Sequence, residues 1–402
     1  MVIANLSNLC WATGQQRRNQ AIFSHLLLDT DGFEEGFFVQ PPMVRTARTF
    51  QFSCPPELEV VSRQNASGRP VTVLQPVLTL PSGFPAAASR RAVAELGQKL
   101  VKDYFRGRPY LLWINSITHY QAQLAEQLMP RADFRVFDGS DLLMMYERNG
   151  GEHRKQANAI LKGSDVAICS NERTMSNIPH PVKCVLSHCT EFKAFQQPDP
   201  QLNLPPLFPK PPGAVYIGFK GMITPERVDC DLLHAIFTRY PRYQFIFIGG
   251  TNRPAMLARM KTYPNFHHIP ELKEDVLASV LHQVDVAIVP ELDNDYTRGC
   301  DGTKILDYLA CGVPVLSTTS PNGLGESVHV AGSIWEFSYL LERLVTGSRP
   351  HEPRYGMMVA QRNSWCNKVP QFMDWMFERQ RERQRDAQTV GSRLVSTMKA
   401  YL

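Results

Sequence analysis

A chain of 402 residues with 43 basic and 38 acidic side chains, a net charge of +5 and 43% hydrophobic residues has an ordinary globular balance. At roughly 150 residues per domain it holds two domains. It is too apolar for a disordered chain and too evenly charged to require nucleic acid, although its mild positive balance suits an anionic ligand or surface. The opening stretch, MVIANLSNLCWATG, has neither the basic start nor the long apolar core of a secretory leader. No window reaches the roughly 18 apolar residues of a membrane-spanning helix. The nine cysteines are scattered and form no CxxC pair, which argues for reduced thiols and against a disulfide frame or zinc site.

Along the chain, short β-branched runs alternate with helical stretches. In the first half the strands are predicted at Val2–Leu6, Gly36–Val39, Val71–Leu74, Tyr110–Ile114, Arg135–Phe137, Val166–Cys169 and Cys184–Leu186. In the second half they fall at Val215–Ile217, Gln244–Ile248, Phe266–Ile269, Val286–Val289 and Val313–Leu316. Apolar residues at helical spacing occupy Arg91–Tyr104, Arg154–Leu161, Leu232–Arg239, Val276–His282 and Trp335–Leu344. This alternation predicts an α/β protein with parallel sheets covered by helices on both faces. Between the halves, QQPDPQLNLPPLFPKPPG carries seven prolines and reads as a semi-rigid connector. The expected organisation is a first domain over 1–195, a linker over 196–213, a second domain over 214–360 and a C-terminal helical segment over 361–402. The apolar face of that last segment (Phe372, Met373, Trp375, Met376 and Phe377) is expected to pack back on the body, and ERQRERQR to be a solvated face. Two such domains predict a ligand cleft off the carboxyl ends of their strands.

The stretch RGCDGTKILDYLACGVPVLST places Arg298, Gly299, Gly302, Thr303 and Lys304 at a glycine turn that opens a helix, where backbone amides favour anions. Lys304 adds a point charge suited to phosphate. Asp307, three residues on, shares that helical face and could accept hydrogen bonds from ribose hydroxyls; the same spacing also describes a simple surface Lys–Asp pair. Three acidic triplets, Asp29–Asp31, Asp229–Asp231 and Asp293–Asp295, match a common loop pattern and carry no metal expectation. His267 and His268 are adjacent on a strand, point to opposite faces and cannot jointly hold an ion. GGTNRP lacks the GK[ST] ending of a phosphate-binding Walker loop.

KILDYLACGVPVL resembles the donor-binding segment KLxEYLAxGxPVV of glycosyltransferases with the two-domain GT-B fold, with Asp307 in place of the usual Glu. An upstream acid of the wider family falls here on Gly299. AVYIGFKGMITPERVDCDLL resembles the first strand and loop of the donor domain, which implies that Gly218, Gly221 and Met222 line the phosphate side. It also makes Lys220 and Arg227 the candidates for that loop's basic groups. YQFIFIGG resembles the next strand. NFHHIPELKEDVLASVLHQVDVAIVP resembles the base-reading segment, which implies Glu271 and Leu272 against the nucleobase. In the first half, CVLSHCTEF places His188 at the family's histidine. WATGQQRRNQ resembles a segment of enzymes of teichuronic acid synthesis, with Trp11, Arg17 and Gln20 matching and Arg18 beside them. RVFDGSDLLMM resembles both those enzymes and the xanthan glucuronosyltransferase family, which implies Asp141 as catalytic base. Asp138 competes for that role, and either acid could instead cap the following helix.

The resulting expectation is a GT-B glycosyltransferase, with two Rossmann-like domains facing across a cleft. Its expected donor is a UDP-linked nucleotide-diphosphate sugar, and its expected acceptor a glycan or lipid-linked hydroxyl of bacterial polysaccharide. Arg17, Arg18, His119 and His188 are the candidate acceptor contacts. No cofactor and no metal are expected. The expected location is the cytoplasm, with room for peripheral contact at the inner face of the membrane. A nucleotide-sugar 2-epimerase and a non-catalytic nucleotide- or glycan-binding protein share the same fold and remain as alternatives.

Overall fold

The computed structural model describes residues 1–7, 11, 18–47, 56–66, 68–81, 86–115, 119–139, 150–199, 201–294, 297, 302–321, 323–348, 351–379 and 381–382. The chain divides into two compact units. The first holds Met1–Trp11, Ile22–Leu186 and Cys366–Leu402; the second holds Ala12–Ala21 and Ser187–Trp365.

The strands of the first unit are β1 (Val2–Leu6), β2 (Glu35–Val39), β3 (Met43–Ala47), β4 (Glu57–Ala66), β5 (Arg69–Pro81), β6 (Tyr110–Ile114), β7 (Phe134–Asp138), β8 (Val166–Cys169) and β9 (Lys183–Val185). They pair in the order β3-β5-β2-β1-β6-β7-β8-β9, with β4 added antiparallel to β5 and every other pairing parallel. Its helices are α1 (Arg18–Leu28), α2 (Ala86–Lys99), α3 (His119–Leu128), α4 (Gly150–Gly163) and α5 (Glu172–Ser176), although residues 18–21 of α1 group with the second unit. Val2, Ala4 and Leu6 point alternately into a core shared with Leu96, Leu100, Leu112 and Leu124. Buried strands of this kind read as continuous apolar runs, which is why β1, β6 and β8 match their predicted limits residue for residue. The C-terminal segment belongs to this unit. Residues 365–379 are helical, with a turn of that helix packing Phe372 against the buried Trp113 ring at 5.6 Å.

The second unit begins with α6 (Phe192–Gln196), followed by β10 (Val215–Lys220), α7 (Cys230–Arg239), β11 (Tyr243–Ile248), α8 (Pro254–Met260), β12 (Phe266–Ile269), α9 (Glu274–Leu281), β13 (Val286–Val289), α10 (Thr303–Ala310), β14 (Val315–Ser317), β15 (His329–Val330), α11 (Ile334–Val345) and α12 (Pro353–Arg362). The sheet is parallel throughout, in the order β12-β11-β10-β13-β14-β15. One face carries the cluster of Leu232, Ile236, Phe237, Phe245 and Phe247, and the other the cluster of Ile246, Leu277, Leu281, Ile305 and Leu309. Two covered faces are what an all-parallel sheet requires.

The proline-rich stretch, expected as a connector, lies inside the second unit and packs on it. Leu204 and Phe208 rest on the second unit's core, Tyr216 donates to the Leu207 carbonyl at 2.7 Å, and Lys210 pairs with Asp285 at 2.7 Å. The C-terminal segment, expected from 361, joins the first unit from Cys366 onward. The β4–β5 hairpin was not predicted as such. Its β4 strand, ELEVVSRQNA, is mostly polar and shifts register between Val60 and Ser62, which erases the period-2 signal.

Candidate functional site in the second unit

In an open parallel sheet, ligand chemistry collects at the carboxyl ends of the strands where the strand order reverses. In the second sheet that reversal falls between β10 and β13, whose Ile217 and Gly218 pair with Val286 and Ala287. The residues that leave these two strands are Lys220 and Gly221 on one side and Pro290 and Glu291 on the other.

The turn after β10 is built on close backbone approach. Gly221 has φ +145° and Gly249, after β11, has φ +138°. A Cβ on Gly249 would overlap the carbonyl of Gly221, so a side chain there would push the two turns apart. The space where Gly221 lacks a side chain is bordered by Lys304 Nζ, 3.5 Å from where a Cβ would stand. Gly218 has a different role. Its missing Cβ makes room for the Val284 methyl groups, so it is a packing glycine inside β10. Met222 is 41% exposed.

Two ion clusters stand at this edge. In the first, Glu291 is 8% exposed and one of its oxygens, Oε1, accepts from both Lys304 Nζ and, at 3.0 Å, Arg227 Nη2. Lys304 Nζ also lies 5.3 Å from the centre of the Phe219 ring. Burial pushes the Glu291 carboxyl up, but the Lys304 charge and hydrogen bond, together with Arg227, hold it below the ordinary carboxylate range. The loop backbones fix this geometry. Asp229 N donates to Pro290 O at 2.8 Å and Leu292 N to Arg227 O at 2.7 Å, bracketing the Val228–Glu291 bridge.

In the second cluster, Asp307 is 3% exposed and accepts from Thr190 Oγ1 at 2.6 Å and Lys220 Nζ at 2.5 Å. The Lys220 amide donates to Tyr308 Oη at 2.5 Å, which ties the end of β10 to α10. Glu274, in the first turn of α9, adds a carboxyl pushed up to about 7 by burial and then by the charges of Glu191 and Asp307, with Lys220 opposing.

The sequence-predicted residues thus separate. Lys304, Lys220, Arg227, Gly221 and Asp307 meet at one edge of the sheet, with Gly302 as N-cap and Thr303 as first residue of α10. The ribose expectation for Asp307 meets a carboxylate whose two oxygens are both engaged by the chain's own groups. Glu271 is exposed, and Leu272 packs against the core below it. Asp138 ends β7 in the first unit, 4% exposed, and accepts from Asn115 Nδ2 at 3.3 Å. His119 opens α3. Arg18 and His188, expected on the acceptor side, group with the second unit, where Arg18 lies 5.8 Å from the Trp365 ring. Burial, then the Arg18 charge, pushes His188 down to about 3, so it is neutral at physiological pH. Asp229 caps α7, accepting from Leu232 N at 2.9 Å. Arg17, Asp141, Arg298 and Gly299 lie outside the described residues. Sequence reasoning missed Glu291, Glu274 and Thr190, whose signals were a lone acid after a strand, a helix-start acid and a loop threonine.

A two-domain α/β chain with these strand orders has the GT-B fold. A search of solved structures places it beside sucrose-phosphate synthase from Thermosynechococcus elongatus, at 15% identity and TM-score 0.57, covering 97% of this chain and 99% of that one. It is also similar to Anabaena HepE in complex with UDP-glucose, at 12% identity and TM-score 0.61, covering 94% and 100%. A third likeness is to an α,α-trehalose-phosphate synthase (UDP-forming) from Burkholderia xenovorans, at 11% identity and TM-score 0.57, covering 93% and 99%. A search of curated protein sequences finds no match. Residues 214–340, which contain both ion clusters' lysines and Glu291, match the family model described as glycosyl transferases group 1. The chain is a glycosyltransferase, and its second unit carries the group 1 domain.

Proposed function

We propose that this glycosyltransferase moves a sugar from a nucleoside diphosphate, with uridine as the favoured base, onto a hydroxyl of a glycan or lipid-linked acceptor in bacterial polysaccharide synthesis. The observation that carries the reading is Lys304, held at the start of α10 beside the Gly221 turn where the strand order reverses. Solved neighbours of the same fold include complexes with UDP and UDP-glucose, which supports the choice of base.

In this reading the acceptor oxygen attacks the anomeric carbon, the bond from that carbon to the diphosphate oxygen breaks, and the acceptor proton passes to a carboxylate. Lys304, Arg227 and the amides at Gly221 and Thr303 take the charge that develops on the leaving diphosphate, typically the largest electrostatic contribution. Gly302 lets the chain enter α10 close to that charge, Met222 lines the phosphate side and the Glu271–Leu272 segment flanks the nucleobase. Acceptor recognition is assigned to Arg17, Arg18, His119 and His188. Asp141 is the assigned base, with Asp138 as its alternate. No resident cofactor enters the scheme, because the nucleotide sugar is a co-substrate.

A thermal-shift series with UDP, GDP, ADP and TDP and their sugars tests this. A ligand at 100 times its dissociation constant should stabilise the fold by about 2.7 kcal/mol. UDP compounds are expected to give the largest shift, and a protein indifferent to every nucleoside diphosphate would remove the donor assignment.

A further inference from the structure

Glu291 has no place in the donor scheme above, yet it is the acid at the sheet edge that pairs with both Lys304 and Arg227. It is 8% exposed, and a single oxygen serves two cations that the donor's diphosphate also needs. We propose that Glu291 is a resident counter-anion that competes with the nucleoside diphosphate for Lys304 and Arg227, and so keeps the product's affinity low enough for release. This inference rests on the donor reading and deepens it.

Three observations support the role. First, the three side chains are all largely shielded: Arg227 is 16%, Glu291 9% and Lys304 12% exposed, so their mutual charges are poorly screened by solvent. Two cations brought together in such a place require an anion. Second, Glu291 is held in position by backbone rather than by chance. The hydrogen bonds Asp229 N to Pro290 O and Leu292 N to Arg227 O lock its loop to the loop that carries Arg227. Third, the carboxylate reduces the charge of the pair from two to one. An arriving diphosphate must therefore displace an existing ion pair instead of meeting two bare cations, which weakens its binding without removing the groups that steady it in the transition state.

The test is Glu291→Gln, which keeps the side chain's shape and removes its charge. The expected result is UDP bound at least tenfold more tightly by calorimetry, a steeper loss of that affinity with added salt, and turnover limited by product release, so that KM and kcat fall together. If this variant fails to fold, Glu291→Asp serves, because its carboxylate is one methylene short and cannot reach both cations. The same tightening is then expected in smaller measure. UDP affinity equal to or weaker than wild type in the folded variants would overturn the inference and leave the donor reading intact, because a merely structural acid lowers stability without tightening nucleotide. Wild-type protein and both variants all failing to bind any nucleoside diphosphate would overturn the donor reading, and the inference with it.

Discussion

At the scale of single residues, charge is the organising quantity. Lys304→Ala is expected to leave a folded protein whose turnover falls tenfold to a thousandfold, the range for losing one donor that stabilises developing negative charge. Steady-state transfer assays check this, and normal turnover would exclude Lys304 from the site. Glu274 makes a prediction about stability. Its carboxyl titrates at about 7 in the folded chain against an ordinary 4.5, through burial and then the neighbouring Glu191 and Asp307, with Lys220 and Asp275 also facing it. Between those pH values the folded chain holds a proton that the unfolded chain has lost, so stability falls as pH rises through that window. Glu274→Gln should flatten the decline, measured as urea midpoints at pH 5, 6, 7 and 8. His188 acts with the opposite sign. Its folded value of about 3, set by burial and then by Arg18, lies below the ordinary 6.5, so its contribution is complete above 6.5 and is lost as pH falls toward 3. The sequence draws the eye to Lys304 because a lysine at a glycine turn before a helix stands beside backbone amides that favour anions. Glu291 was not legible, because nothing in VPELD announces that two cations from distant segments will converge on it.

At the scale of elements, the parallel strands were legible and the irregular pieces were not. A strand buried on both faces must be apolar throughout, so β6, β8 and β13 declared themselves with their observed limits. The β4–β5 hairpin and the two-residue β15 lack that signature, since exposed and very short strands lose the pattern that marks burial. The site was half legible for a related reason. Glycine marks where a backbone must turn, but only the folded chain shows that Gly221 and Gly249 touch. Gly249→Ala should therefore be costly, by about 1–3 kcal/mol from the strained φ alone, and more once the carbonyl of Gly221 is displaced. Chemical denaturation checks the loss. A contrasting element is α11, where Trp335 is 72% exposed and stacks on Tyr339 at 5.4 Å. Trp335→Ala is expected to change stability by no more than about 0.5 kcal/mol, as surface substitutions usually do.

For the whole molecule, the two units carry separate cores, so the effects of ligand and truncation should separate as well. UDP is expected to slow amide hydrogen exchange chiefly within residues 187–365, and protection confined to residues 22–186 would contradict the donor assignment. Domain number and fold class were legible from strand–helix alternation. The true partition was not, because a proline-rich segment looks like a hinge whether or not Leu204 and Phe208 have a core to cover. Nor does a terminal amphipathic stretch name the surface it will cover.

The ownership of that tail has a practical side. Because the polypeptide returns to the first unit at Cys366, the main block of the second unit, Ser187–Trp365, is an insertion with a seam at each end rather than a rear half that begins at a hinge. If the proposed donor assignment holds, recombining such proteins to alter which sugar is delivered would mean exchanging the block near 187–365 and leaving everything after it with the recipient. A single splice in the prolines would strip Phe372 from its contact with Trp113, and hybrids made that way should aggregate.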